Sequence, residues 1–112
     1  MAFSPARLAE LRGQGKAVFV DFTAAWCVTC KVNEKLALSS RAVSDAFART
    51  GAVYMVADWT SRDAVIAKTL AEHGRAGVPL YLVYGKAGGE PVVLPQLLTE
   101  GAVVSALDAA NA

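Results

Sequence analysis

The chain has 112 residues, 54% of them hydrophobic and 19% charged, with a net charge of +1. That balance excludes intrinsic disorder, and the length fits a single domain over residues 1–112. Near-neutrality without a basic cluster leaves no electrostatic footprint for nucleic acid or an anionic membrane, and two cysteines cannot staple a disulfide-rich miniature fold. No apolar run approaches the ~18 residues of a spanning helix. A soluble chain with no leader ahead of Phe3 is expected, either a small cytosolic protein or a domain excised from a larger one.

Ser4 is placed to cap a helix with Pro5 in its first turn, and Phe3 and Leu8 hold the positions of a hydrophobic staple. Gly13 is expected to end that helix in the left-handed conformation. Residues 17–22 form a nearly continuous apolar run. Such a run reads as a strand buried on both faces, which favours a central place among parallel neighbours. Cys27-Val28-Thr29-Cys30 then opens a helical stretch to about Leu38, and a second stretch, residues 41–49, follows Ser40 with Val43 and Phe47 on one face.

Residues 52–57 give the second strand. Thr60-Ser61-Arg62-Asp63 has capping-box spacing and is expected to start a helix that Gly74 closes. Leu80–Tyr84 is the third strand, and a glycine-rich turn leads to a fourth at residues 91–94, whose flanking prolines suit an edge. Thr99 caps a last helix carrying Ala102, Val103, Ala106 and Leu107. The order α-β-α-β-α-β-β-α predicts an α/β fold with a parallel pair and an antiparallel hairpin.

The chemistry is concentrated in Cys27 and Cys30, at the junction of a buried strand and a helix. A first thiol at a helix start lies beside unpaired backbone N–H groups and the positive end of the dipole, which favour a thiolate. The second thiol, about one turn on, can close a disulfide with it: a nucleophile and a resolving thiol. A purely structural disulfide is the weaker reading, because so short a loop constrains the unfolded chain little. A structural zinc needs four ligands, and only His73 remains to join the cysteines. Paired thiolates would also suit a Cu(I) carrier, although no methionine stands near Cys27.

The stretch Val20-Asp21-Phe22-Thr23-Ala24-Ala25-Trp26-Cys27-Val28-Thr29-Cys30-Lys31 resembles the active-site segment of the thioredoxin superfamily, and Gly77-Val78-Pro79 is similar to its cis-proline loop. More narrowly, the Cys-Val-x-Cys-Lys form, Glu34 and the segment at residues 90–95 resemble the C-terminal periplasmic domain of the DsbD family of membrane-spanning thiol:disulfide interchange reductases. The resemblance runs from Lys16 to the C-terminus. It implies a thioredoxin fold, a mixed four-stranded central sheet flanked by helices with the third strand antiparallel, to which this chain adds an N-terminal helix. It also implies a monomeric periplasmic domain, part of an inner-membrane protein, that inserts no segment of its own into the bilayer. Such a domain takes electrons from the transmembrane domain and passes them to the N-terminal domain, serving disulfide isomerases and cytochrome c maturation. Its substrates are protein disulfides, and it needs no cofactor beyond the redox-active Cys27–Cys30 pair. Val-Thr in place of Gly-Pro between the cysteines departs from ordinary thioredoxin; a free-standing thioredoxin-like reductase is the alternative.

Asp21 is a carboxylate within an apolar strand, where an unpaired charge is expensive. The resemblance makes it the buried acid that accepts the proton of Cys30; a salt-bridged or strand-end residue is the bland alternative. Glu34, seven residues after Cys27, is expected on the nucleophile's helix face as a second group tuning protonation, or else as a solvated residue paired with Lys31 or Lys35. Together the two carboxylates are expected to raise the Cys27 pKa against the helix dipole. Trp26 is expected to shield the disulfide. Pro79, if cis, presents the Val78 backbone to an incoming peptide. Lys31, Tyr54 and Trp59 carry no separable signal, so surface and core roles are assigned to them.

Overall fold

The computed structural model describes all residues from Met1 to Ala112. Five helices and four strands follow one another along it: α1 (Pro5–Gly13), β1 (Val18–Thr23), α2 (Val28–Asn33), α3 (Arg41–Thr50), β2 (Val53–Asp58), α4 (Ala64–Glu72), β3 (Leu80–Tyr84), β4 (Val92–Val93) and α5 (Glu100–Ala110). Between α2 and α3 the helical stretch continues as a π-helical segment, Glu34–Leu38. The sheet order is β2-β1-β3-β4. β1 pairs parallel with β2 and antiparallel with β3, so β1 is central as expected but only one of its neighbours is parallel. The antiparallel β3–β4 pair leaves β4 as a two-residue edge strand, consistent with the prolines around it. Except for the π-helical segment, this is the arrangement the family resemblance implies.

Both faces of the sheet are covered, which explains the apolar run of β1. Val18, Val20 and Phe22 point to one face, where they meet Leu11 of α1, Ile66 and Leu70 of α4 and Met55 of β2. Phe19 points to the other, with Tyr81 and Val83 of β3, Val43 and Ala46 of α3, and Val103 and Leu107 of α5. Truncating a ring as buried as Phe19 or Phe22 to alanine costs about 3–5 kcal/mol. Asp21 lies on the Phe19 face by strand alternation, the face covered by the π-helical segment, α3 and α5.

Local signals set most helix ends. The Ser4, Ser40 and Thr99 hydroxyls accept from the backbone N–H groups of Arg7, Val43 and Ala102, as their N-cap positions predict. Gly51 and Gly74 adopt the left-handed conformation after α3 and α4. Two expectations are corrected. Gly13 remains inside α1, and Gly15 two residues later takes the positive φ of 73°. Asp63 is not the fourth member of a capping box begun by Thr60; it is itself the N-cap of α4, accepting from Val65 and Ile66. A short carboxylate two or three residues from free N–H groups satisfies both, so the helix starts there. The first residues also make a strand-like contact that no sequence pattern signals: Phe3 N–H donates to Val56 O and Val56 N–H to Met1 O, covering the outer edge of β2.

Candidate active site: the cysteine pair and a buried acid

Cys27 follows β1 through a tight turn, its N–H donating to Ala24 O at 3.1 Å. It occupies the N-cap of α2, and its sulfur accepts from the Cys30 N–H at 3.2 Å. A cap residue carries its side chain at the helix mouth, whereas a residue three positions on lies inside the first turn. The accessibilities follow: Cys27 is 7% exposed and Cys30 is completely buried. The two are joined by a disulfide, with Cα atoms 5.3 Å apart. Ala24 and Val78 pack against the pair. The Val78–Pro79 bond is cis, as expected, and Arg75 donates to Pro79 O at 3.3 Å. The structure thus brings Cys27, Cys30 and Val78 of the Val78–Pro79 loop together.

Trp26 is nearly half exposed, and its indole N–H donates to Thr60 O at 3.1 Å. Its ring lies 5.9 Å from that of the buried Trp59, and the Arg62 guanidinium sits over both rings at 4.6 and 5.0 Å. Thr60 also accepts from the Ala25 N–H, and its own N–H is held by Asp58. The loop before Cys27 is thereby tied to the loop after β2.

Asp21 is 2% exposed and faces no cation. The two ion pairs of the chain, Arg7–Glu10 and Arg49–Asp108, are elsewhere, so neither the bland salt-bridge for Asp21 nor a lysine partner for Glu34 is present. One Asp21 oxygen accepts a hydrogen bond from the Tyr54 hydroxyl, and the other has no partner. Burial pushes the Asp21 carboxyl up to about 6; the Tyr54 hydrogen bond opposes this and the Glu34 charge adds to it. Tyr54 itself is held far above the usual phenol range, by burial first and by the Asp21 charge second, and so stays protonated. Register explains the meeting. Asp21 pairs with Val56 and Phe19 with Tyr54, which sets Tyr54 diagonally beside Asp21 on the same face of the sheet.

Glu34 accepts from the Thr23 hydroxyl at 3.3 Å. With Tyr54 it lines an open groove of about 440 Å³, completed by Leu38, Ser39, Ser44 and Phe47. Directly opposite Asp21 in the antiparallel register is Tyr81, whose hydroxyl is pushed up to about 12, mainly by burial. That hydroxyl accepts from the buried Asn33 amide at 2.9 Å. Asn33 also donates to Gln96 O and accepts from the Leu98 N–H, fastening α2 to the loop before α5. No three His, Cys, Asp or Glu side chains converge as metal ligands.

A profile described as thioredoxin-like matches residues 1–86. The chain belongs to the thioredoxin-like family. Among curated relatives, the thiol:disulfide interchange protein DsbD of Vibrio cholerae is 36% identical over 85 residues, covering 76% of this chain and 14% of that protein. The DsbD of Yersinia pestis is 33% identical over 100 residues, covering 89% of this chain and 15% of the relative. This thioredoxin-like chain therefore spans about one seventh of the length of the curated relatives it matches. Its fold superposes on the reduced DsbD C-terminal domain of Neisseria meningitidis with a TM-score of 0.73 at 22% identity, over 97% of this chain and 98% of that one. A thioredoxin from Thermus thermophilus gives 0.72 at 20% identity, over 96% and 84%.

Of the residues singled out from sequence, Asp21 and Glu34 meet electrostatically and Val78 packs on the cysteines, whereas Trp26 turns its indole N–H to Thr60. Tyr54 and Asn33 were missed. A buried acid requires a partner, and a tyrosine on the neighbouring strand was the available signal. For Asn33, the signal was a lone amide one turn after Cys30.

Proposed function

We propose that the chain is a thiol:disulfide oxidoreductase domain of a DsbD-like protein, relaying electrons in the periplasm from a transmembrane domain to an N-terminal partner domain. The observation that carries this reading is the unequal placement of two linked sulfurs, Cys27 at the mouth of α2 and Cys30 enclosed behind it. In the reduced state the Cys27 thiolate attacks a partner disulfide, forming a mixed disulfide and releasing one partner thiolate. Cys30 then gives its proton to Asp21, and its thiolate attacks the Cys27 sulfur to release the second partner thiolate. A carboxyl titrating at about 6 is matched to taking that proton near neutrality. Glu34 adds the charge that helps hold Asp21 there, and Trp26, Val78 and Pro79 form the surface on which the partner backbone docks. The Cys27–Cys30 pair is the sole redox group in this scheme. The similarity to DsbD proteins over 76–89% of the chain supports the relay over a general reductase.

The test uses Cys30→Ser, which retains the nucleophile and removes resolution. Reduced Cys30→Ser is mixed with the oxidised N-terminal domain of the same polypeptide and, separately, with insulin, and covalent complexes are followed on non-reducing gels. Faster trapping of the N-terminal domain is expected, with little trapping by Cys27→Ser. Equal rates would favour a free-standing thioredoxin-like reductase, and no complex with either would turn attention to Cu(I) binding.

A further inference from the structure

A buried acid that takes a proton at each turnover must also lose it. Asp21 is closed to bulk water, being 2% exposed, and one of its oxygens has no protein partner. Its other oxygen has a single partner, the Tyr54 hydroxyl. Tyr54 is only part-buried, and it lines the open groove with Glu34, Leu38, Ser39, Ser44 and Phe47. Its ring is fixed by Phe19, stacked at 5.6 Å and 9°, and by the edge of Phe47 at 5.5 Å. The titratable groups around the carboxyl are Tyr54 of β2, Tyr81 of β3 and Glu34 of the π-helical segment; α3 contributes Phe47 and Ser44 to the groove.

We propose that the Tyr54 hydroxyl is the proton conduit of the active site, carrying the proton of Asp21 to water in the groove between the π-helical segment and α3. The inference rests on the reading in which Asp21 accepts the Cys30 proton. Starting from the Cys27 thiolate, oxidation breaks the Cys30 S–H bond and the partner S–S bond, forms the Cys27–Cys30 bond, and releases the partner as two thiolates that carry the two electrons. The Cys30 proton resides on Asp21. It then passes to the Tyr54 oxygen as the Tyr54 hydroxyl proton leaves to groove water, which restores a neutral tyrosine and an Asp21 carboxylate. Because the phenol both accepts and donates, tyrosinate never forms, in keeping with its upward-shifted acidity. Tyr54 is thus a positioning and relay residue, not one that touches the sulfurs.

The experiment mixes reduced protein with an aromatic disulfide whose released thiol absorbs, in stopped flow and weak buffer. The first thiol released reports attack by Cys27, the second resolution by Cys30. Tyr54→Phe keeps the stacked ring and removes only the hydroxyl. It should slow repeated turnover under a supplied reductant by about tenfold, with a larger slowing in D2O, and added imidazole should restore the rate. Ser44→Leu leaves Tyr54 intact but obstructs the groove, and it should be slowed in the same manner. Asp21→Asn separates the two claims: if it leaves the pH profile of the second phase unchanged, Asp21 is not the acceptor and the underlying reading fails. If Asp21→Asn alters that profile while Tyr54→Phe turns over at the wild-type rate, or is slow without rescue by imidazole, the conduit is overturned and the acceptor stands.

Discussion

Replacing Asp21 with asparagine removes a carboxylate that the fold desolvates without a cation to compensate. A carboxyl at about 6 in the folded protein and 3.8 in the unfolded chain binds its proton more tightly when folded. The stability it contributes is therefore present at low pH and is lost as pH rises through the folded value. The difference of 2.2 units, from 3.8 to about 6, corresponds to about 3 kcal/mol at 1.36 kcal/mol per unit, of which about 2.5 kcal/mol develops between about pH 4 and pH 7. Asparagine does not titrate, so the stability of Asp21→Asn minus that of wild type should grow by this amount across that range. Any fixed cost of an unpaired amide N–H, about 1–3 kcal/mol, shifts both ends equally. Urea denaturation of the oxidised proteins at a series of pH values measures it, with the cysteines locked in their disulfide throughout. A difference that stays flat from about pH 4 to pH 7 would refute the claim that burial without ionic compensation controls this carboxyl.

Reduced protein treated with a limiting alkylating agent should be labelled at Cys27 first, since Cys30 is fully enclosed; peptide mapping that finds Cys30 preferentially modified would reverse their roles. Asn33→Ala should destabilise by about 2–4 kcal/mol in denaturant titration, because it orphans the buried Leu98 N–H and unties α2 from the loop before α5; a loss under about 0.5 kcal/mol would show that those bonds are replaced by water.

Features governed by near neighbours were readable in the sequence. The Ser4, Ser40 and Thr99 caps, the Gly74 terminator and the strand–helix junction at Cys27 each depend on residues a few positions apart. The double-sided burial of β1 was legible as an apolar run, although such a run does not distinguish a parallel from an antiparallel neighbour. Contacts remote in sequence were legible only as polar groups in need of a partner, not as specific pairs. Tyr54 meets Asp21 across 33 residues, and Asn33 meets Leu98 across 65, so each depends on strand register or loop path that no local pattern records. The π-helical segment was invisible for a related reason. Residues 34–38, Glu-Lys-Leu-Ala-Leu, are good α-helix formers, so nothing in their propensities marks the widened turn.

Trp26 and Trp59 are the only tryptophans of the chain, and their rings are 5.9 Å apart, one of them adjacent in sequence to Cys27. Indole emission therefore monitors a single corner of the molecule, while the aromatic cluster of Phe19, Phe47 and Tyr54 and the whole of α5 remain dark to it. An unfolding transition followed by emission reports the loops around Arg62 and Thr60, and it describes the whole chain only where far-ultraviolet circular dichroism gives the same midpoint. The same localisation makes emission a label-free signal for anything that lands beside the disulfide, since Trp26 is the half-exposed member of the pair.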